Sequence, residues 1–354
     1  MAARPHKGRG AVSLPDSRFS SQTTELVAEE ADRRTSCAPE TVLRAMQAGR
    51  IISTNTSPDV PFDRSINPYQ GCEHGCVYCY ARPSHSYLDL SPGLDFETQI
   101  FYKPNAATRL QEEWQKPGYE CKPITIGANT DPYQPAEKTL MITRTLLQLF
   151  AEYRHPVNII TKSHLICRDI DLLGDLASDR LCSVAISIPT MDDDLKRVME
   201  PRVPAATSRL KAIRELTQAG VNVSVLVAPI IPAINDNEIE TILDATARAG
   251  ATRAHYIFLR LPHELKEIFE EWLLAHYPDR CERVLSLIRQ ASGGKSYDHR
   301  FGHRQSGHGP YADMLAARFA KASRELGLLP DTYQQSLDCG QFLHPAKRQL
   351  GLAF

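Results

Sequence analysis

From Ser65 onward, short apolar or β-branched runs alternate with longer amphipathic ones, and this alternation constrains the fold of the 354-residue chain more than any other feature. The short runs are Ser65–Gln70, Ile124–Ala128, Val157–Thr161, Ser183–Ile188, Val221–Ala228 and His255–Leu259. Each has strand length and strand composition. Between them, Ala106–Gln115, Thr139–Tyr153, Asp169–Ser178, Ala206–Ala219 and Glu238–Ala249 read as helices. Gly220 and Gly250 stop two of these helices directly before the next strand, as αβ connections prefer. Such alternation implies a parallel sheet with right-handed crossovers. Six units within roughly 200 residues are too few to close an eight-unit barrel. The expected fold class is therefore α/β, with a parallel-sheet core over residues 59–262.

The flanks read differently. Residues 1–58 form an N-terminal extension, expected to be largely disordered because Met1 to about Arg34 carries few large apolar side chains. Within it, Pro39–Ala48 reads as a short helix closed by Gly49. Beyond Pro262 the repeat ends, and Glu264–His276, Arg280–Arg289 and Tyr311–Leu326 give a helical C-terminal extension, residues 263–354. The loop Ser292–Tyr311 is rich in Gly, His and Arg, with aromatic residues among its cations, a composition that suits contact with phosphates or bases as well as a packing loop. With 41 basic and 42 acidic residues the chain has no polybasic coat, though a local patch remains open. The longest apolar run, Val221–Ile234, is interrupted by Asn222, Pro229 and Pro232 and cannot span a membrane. No apolar segment follows the basic start MAARPHKGRG, so a secretory leader is not expected. Cys37, Cys121, Cys167, Cys182, Cys281 and Cys339 are scattered without regular spacing, which suits a reducing cytoplasm.

The other three cysteines are not scattered. Gly71–Arg82 reads GCEHGCVYCYAR, placing Cys72, Cys76 and Cys79 at C-x-x-x-C-x-x-C spacing. Gly71 and Gly75 allow the backbone to wrap a metal centre. The glycines and the lack of apolar periodicity argue against a buried helical cysteine stripe. Three sulfurs are one short of a closed tetrahedral zinc site or a four-cysteine cluster. His74 could complete a zinc site, although structural zinc usually draws on two separated pairs. Otherwise an iron–sulfur cluster on three cysteines keeps one iron open for an outside ligand.

CEHGCVYC followed by Tyr80 resembles the cluster loop of the radical S-adenosylmethionine enzymes, and the surrounding chain resembles their spore photoproduct lyase-like branch over roughly Ile66–Pro262. The resemblance implies a partial (β/α)6 TIM-like barrel. It implies a 4Fe–4S cluster on Cys72, Cys76 and Cys79 whose open iron chelates S-adenosylmethionine. It also implies a reductant such as flavodoxin or ferredoxin, and a 5′-deoxyadenosyl radical that attacks a substrate, which the branch and the Ser292–Tyr311 loop suggest is a nucleic acid. Tyr78, next to the third cysteine, and Thr130, Asp131, Lys162, Ser187 and Arg202 match cofactor-contacting positions. Each also has a plain reading: Asn129-Thr130-Asp131-Pro132 is turn-like, Lys162 is a strand-end lysine, Ser187 can bond to local backbone, and Glu200 with Arg202 can form a surface ion pair. The lyase carries a cysteine directly before the polar-Asp pair, whereas this chain has Asn129, so return of a hydrogen atom by that route is not expected. The alternative function is a non-enzymatic iron–sulfur or zinc module that binds a nucleic acid or a partner.

Overall fold

The computed structural model describes residues 5–19, 39–330 and 337–345. Its strands are β1 (Val42–Ala45), β2 (Ile52–Thr54), β3 (Arg64–Ile66), β4 (Tyr69–Gln70), β5 (Gln99–Tyr102), β6 (Ile124–Ile126), β7 (Val157–Thr161), β8 (Cys182–Ser187), β9 (Asn222–Ile230), β10 (Arg253–Phe258) and β11 (Leu329–Pro330). The larger sheet has eight strands in the order β2-β3-β6-β7-β8-β9-β10-β11. From β3 to β11 every pairing is parallel, and β2 is antiparallel to β3. The six consecutive parallel strands β3, β6, β7, β8, β9 and β10 match the alternation and form the partial barrel that the resemblance implied.

The connecting helices are α1 (Ala106–Gln115), α2 (Ile142–Glu152), α3 (Ile170–Ser178), α4 (Asp193–Met199), α5 (Ala206–Gln218) and α6 (Ile239–Ala249). After β10 come α7 (Leu265–His276), α8 (Pro278–Ala291) and α9 (Pro310–Glu325). Helix α2 buries Leu146, Leu147 and Phe150, and α6 buries Ile242 and Leu243, in one core with Ile126, Ile159, Val184 and Val223 of the sheet. Full burial of each such side chain contributes about 1.5–3 kcal/mol. Leu315 and Phe319 of α9 join the same core, so the C-terminal helices close the barrel's flank. A second core joins the cysteine loop, through Cys76, Val77 and Tyr78, to Met199 of α4 and to Ile268, Phe269 and Trp272 of α7. No helix among the described residues is long and apolar enough to cross a membrane.

Three segments depart from the sequence expectation. The run Ser65–Gln70 splits at Asn67-Pro68, because Pro68 has no N–H to continue the ladder. Beyond the break, β4 leaves the large sheet and pairs antiparallel with β5. The helix expected over Pro39–Ala48 is instead β1, parallel to β5 from Val42↔Gln99 to Ala45↔Tyr102. A lone helix of that length without a buried stripe is marginal, and the free edge of β5 satisfies the same backbone groups. Residues 5–19, expected as part of a mobile tail, lie against the cysteine loop with Arg9, Ala11 and Val12 buried; residues 20–38 lie outside the described residues.

Candidate active site

The ends of the parallel strands open onto a cavity lined by Cys72, His74, Cys76, Tyr78 and Cys79 on one side. Thr130, Asp131, Lys162, Ser187 and Arg260 face them from the strand exits. A TIM-like sheet collects its loops at this end because every parallel strand finishes there. Eight of the nine site residues named from the sequence therefore share one space. Arg202 is the exception. It is absent from the lining, and its guanidinium pairs with Glu73 at 3.1 Å on the cysteine loop.

The loop that carries the sulfurs is tied down from several directions. Gly71 and Gly75 both have positive φ, +82° and +66°, and a β-carbon at Gly75 would stand 2.6 Å from Glu97 Oε2. Any other residue is strained at both positions. Gln134, from the loop after β6, accepts from the Glu73 N–H at 2.9 Å and donates to the Gly71 carbonyl at 3.2 Å. Arg82 is fully buried. It donates to the carbonyls of Cys76 and Gly93 and pairs with Glu97 at 2.5 Å. Glu97 also accepts from the N–H groups of Gly10 and Ala11, at 3.0 and 2.8 Å. At Gly10 a β-carbon would lie 1.8 Å from the Gly75 carbonyl oxygen, so backbone meets backbone with no room for a side chain. Gln134, Glu97 and Gly10 were not singled out from sequence. Gln134 alone lies close behind a turn the sequence offered, Asn129-Thr130-Asp131-Pro132.

At the strand exits the polar groups form two networks. Asp131, its side chain largely shielded from solvent, accepts from Thr161 Oγ1 and from the backbone N–H groups of Tyr133 and Lys162, at 2.7, 2.9 and 2.7 Å. His74 Nδ1 stands 3.3 Å from Asp131 Oδ2, within Coulomb reach but outside hydrogen-bond alignment. Burial works against the Asp131 carboxylate, yet His74 and these donors more than offset it and hold the carboxyl below its usual range. Thr130 donates to the Tyr69 carbonyl. In the second network Lys162 Nζ lies 2.6 Å from Ser187 Oγ and 3.4 Å from Glu200 Oε1.

Glu200 overturns the surface-pair reading. It is fully buried, pairs with Arg209 at 2.6 Å and accepts from the Tyr78 hydroxyl. Burial opposes its charge, but Arg209 and Lys162 prevail and hold its carboxyl at about 2. Spacing along the chain pairs Glu200 with Arg202. The fold instead brings Arg209 of α5 to it from the next helix.

The donor set fits an iron–sulfur cluster better than one zinc ion. Donors around a single tetrahedral zinc stand about 3.5 Å apart. Among the described residues the only trio of His, Cys, Asp or Glu donors within 4.8 Å of one another is His164, Cys167 and Glu215. Cys72, Cys76 and Cys79 are therefore spread wider, as a polynuclear centre requires. Burial pushes all three thiols above their ordinary range, and metal coordination reverses that by fixing the thiolate.

The model of the radical SAM superfamily matches residues 66–246. The chain belongs to that superfamily. Radical SAM enzymes bind a 4Fe–4S cluster and S-adenosylmethionine and depend on a reductant, so this chain is an enzyme of that cofactor pair. An uncharacterized protein of Mycobacterium tuberculosis is 36% identical over 233 residues, 65% of this chain and 68% of the relative. One from Methanocaldococcus jannaschii is 28% identical over 219 residues, 62% of this chain and 78% of the relative. Among solved structures, spore photoproduct lyase complexed with dinucleoside spore photoproduct superposes with a TM-score of 0.62 at 14% identity, over 89% of this chain and 88% of the other. That likeness is one of overall fold.

Proposed function

We propose that Cys72, Cys76 and Cys79 hold the cluster, that Thr130, Asp131, Lys162 and Ser187 orient S-adenosylmethionine, and that the substrate is a nucleic acid entering past Arg260. When bound, this cofactor pair supplies reductive cleavage of the sulfonium to a 5′-deoxyadenosyl radical, which takes a hydrogen atom from the substrate. The convergence of three sulfurs with Asp131, Lys162 and Ser187 on one cavity carries the reading. Asp131 offers acceptor oxygens to an ammonium, and Lys162 offers donors to a carboxylate or hydroxyl. Tyr78 does not face its partner as a free hydroxyl. It is anchored to Glu200, and its ring lies 5.5 Å from Lys162 Nζ, so its part is to position the lysine. Arg202 holds Glu73 and thereby the loop, and any effect it has on the cofactor runs through the loop's shape.

The nucleic-acid half rests on charge at the mouth and on the branch whose fold the chain shares. Arg260 lies over the Tyr80 ring at 5.2 Å, and its buried Nε has no hydrogen-bond partner. A phosphate would satisfy that group. The cations of the Ser292–Tyr311 loop contribute less than its composition suggested. Arg300 pairs with Asp298 at 2.7 Å, and Arg304 pairs with Asp59 at 2.5 Å. Among the described residues, the only sulfurs lining the cavity are those of the three loop cysteines.

Anaerobic reconstitution with iron and sulfide, followed by S-adenosylmethionine and dithionite, tests the cofactor half. Release of 5′-deoxyadenosine is expected from the intact chain, with none from Cys76→Ala. Zinc without iron in the reconstituted chain would refute it. For the substrate half, Arg260→Ala should weaken binding of a single-stranded oligonucleotide and reduce its salt dependence by about one phosphate contact. Identical binding curves would remove the nucleic acid while leaving the cofactor chemistry standing.

A further inference from the structure

A second donor cluster lies outside the cavity lining. After β7 the chain turns through a 3-10 helix, His164–Asp169, capped by Ser163, whose hydroxyl accepts from the Leu165 N–H at 3.3 Å. Three residues per turn put His164 and Cys167 on the same face of that helix. Helix α5 supplies Glu215, and the three donor atoms lie within 4.8 Å of one another, each residue half-buried. His164 Nε2 is buried and 3.4 Å from Glu215 Oε2, yet it makes no hydrogen bond. A buried ring nitrogen left without a partner is uncommon and calls for an explanation.

We propose that His164 Nε2, Cys167 Sγ and the Glu215 carboxylate bind one divalent cation of zinc-like chemistry, with a fourth position open to water. Imidazole, thiolate and carboxylate are the donors that zinc accepts, and three protein ligands with an open corner is an established coordination. Around such an ion the donors stand about 3.5 Å apart. One edge already measures 3.4 Å, and the other two are no longer than 4.8 Å. The competing cation is Lys211, 3.6 Å from Glu215 Oε1. Its side chain is well exposed, and an exposed i,i+4 pair contributes little. Ion binding releases the thiol proton to solvent and leaves Lys211 free to swing away. The cluster owes nothing to the reading of the cavity, because none of its three residues lines it.

The test uses the full-length holoprotein, with the loop cysteines occupied by iron and loose metal removed on chelating resin. Cobalt(II) then serves as the spectroscopic stand-in for zinc. The expected result is one cobalt per chain, with a thiolate-to-cobalt charge-transfer band in the difference spectrum that added zinc abolishes. Cys167→Ala should remove the band. Glu215→Gln, an isosteric change on a helix surface, should weaken cobalt binding by at least roughly tenfold. A chain in which Cys72, Cys76 and Cys79 are all replaced by alanine should keep the band, which separates this site from the cluster. Absence of the band from the wild type, or its persistence unchanged in both Cys167→Ala and Glu215→Gln, would overturn the proposal. Should Cys167→Ala fail to fold, Glu215→Gln alone decides.

Discussion

Lys162 and Ser187 stand at the ends of β7 and β8, in a parallel ladder whose neighbouring positions Ile159, Val184 and Ile186 are fully buried. Cys72, Cys76 and Cys79 stand on a loop that adds buried polar ties to its share of the second core, from Arg82, Glu97, Gln134 and the Gly10–Ala11 backbone. The wall of the cavity is thus held by many apolar contacts, each of modest worth, and the loop depends in addition on a few buried polar ones that fail together. Truncating one side chain in the wall removes one contact. Removing one partner of a buried ion pair leaves its mate uncompensated, which costs far more than the pair contributes.

The sharpest break of this contrast is Glu97→Ala. It strands Arg82 and two backbone N–H groups, and should cost about 3–5 kcal/mol of stability in urea unfolding, with iron retained poorly after reconstitution. A loss below about 1 kcal/mol would mean the loop is not held through this carboxylate. Next is the junction of the two regions, Glu200. Its folded carboxyl sits near 2 against 4.5 when exposed, so it stabilises the fold above the unfolded value, and that contribution is lost as pH falls from about 4.5 toward 2. The stability gap between wild type and Glu200→Gln should therefore be full at pH 6, about 3 kcal/mol, and should narrow through that acid window. A gap independent of pH would show that Glu200 is not the group titrating. Gly10→Val drives a side chain into the Gly75 carbonyl. It should cost about 1–3 kcal/mol and make the first twenty residues more sensitive to protease, while leaving the barrel's cooperative unfolding intact. The smallest effect belongs to the wall. Ser187→Ala should change stability by about 1 kcal/mol or less, but raise the S-adenosylmethionine concentration needed for half-maximal 5′-deoxyadenosine release, by freeing Lys162.

Much of the wall was legible in the chain. Val157–Thr161 and Ala106–Gln115 come out with the boundaries read from periodicity, and α5, α6 and β8 differ by a residue or so. Local propensity and the tertiary environment agree there, so a window of a dozen residues contains the answer. Helix α4 was missed because Asp193–Met199 is short and only Leu195 and Met199 are buried along it. β1 and β11 were missed because each is an edge strand with exposed side chains, visible only in the partner it pairs with.

The sequence by itself determined the alternation of the six core strands with their helices and the three-sulfur spacing, and its resemblance to the radical SAM enzymes picked out the strand-exit residues, because alternation and spacing follow from local periodicity and glycine placement, and parallel strands end on one side. Tertiary structure alone decided that Glu200 answers to Arg209 and not Arg202, that an N-terminal segment braces the cysteine loop, and that Cys167 meets Glu215. Those pairings join residues that no short window contains. The gain from desolvating a charge against its partner exists only once packing has brought the two together.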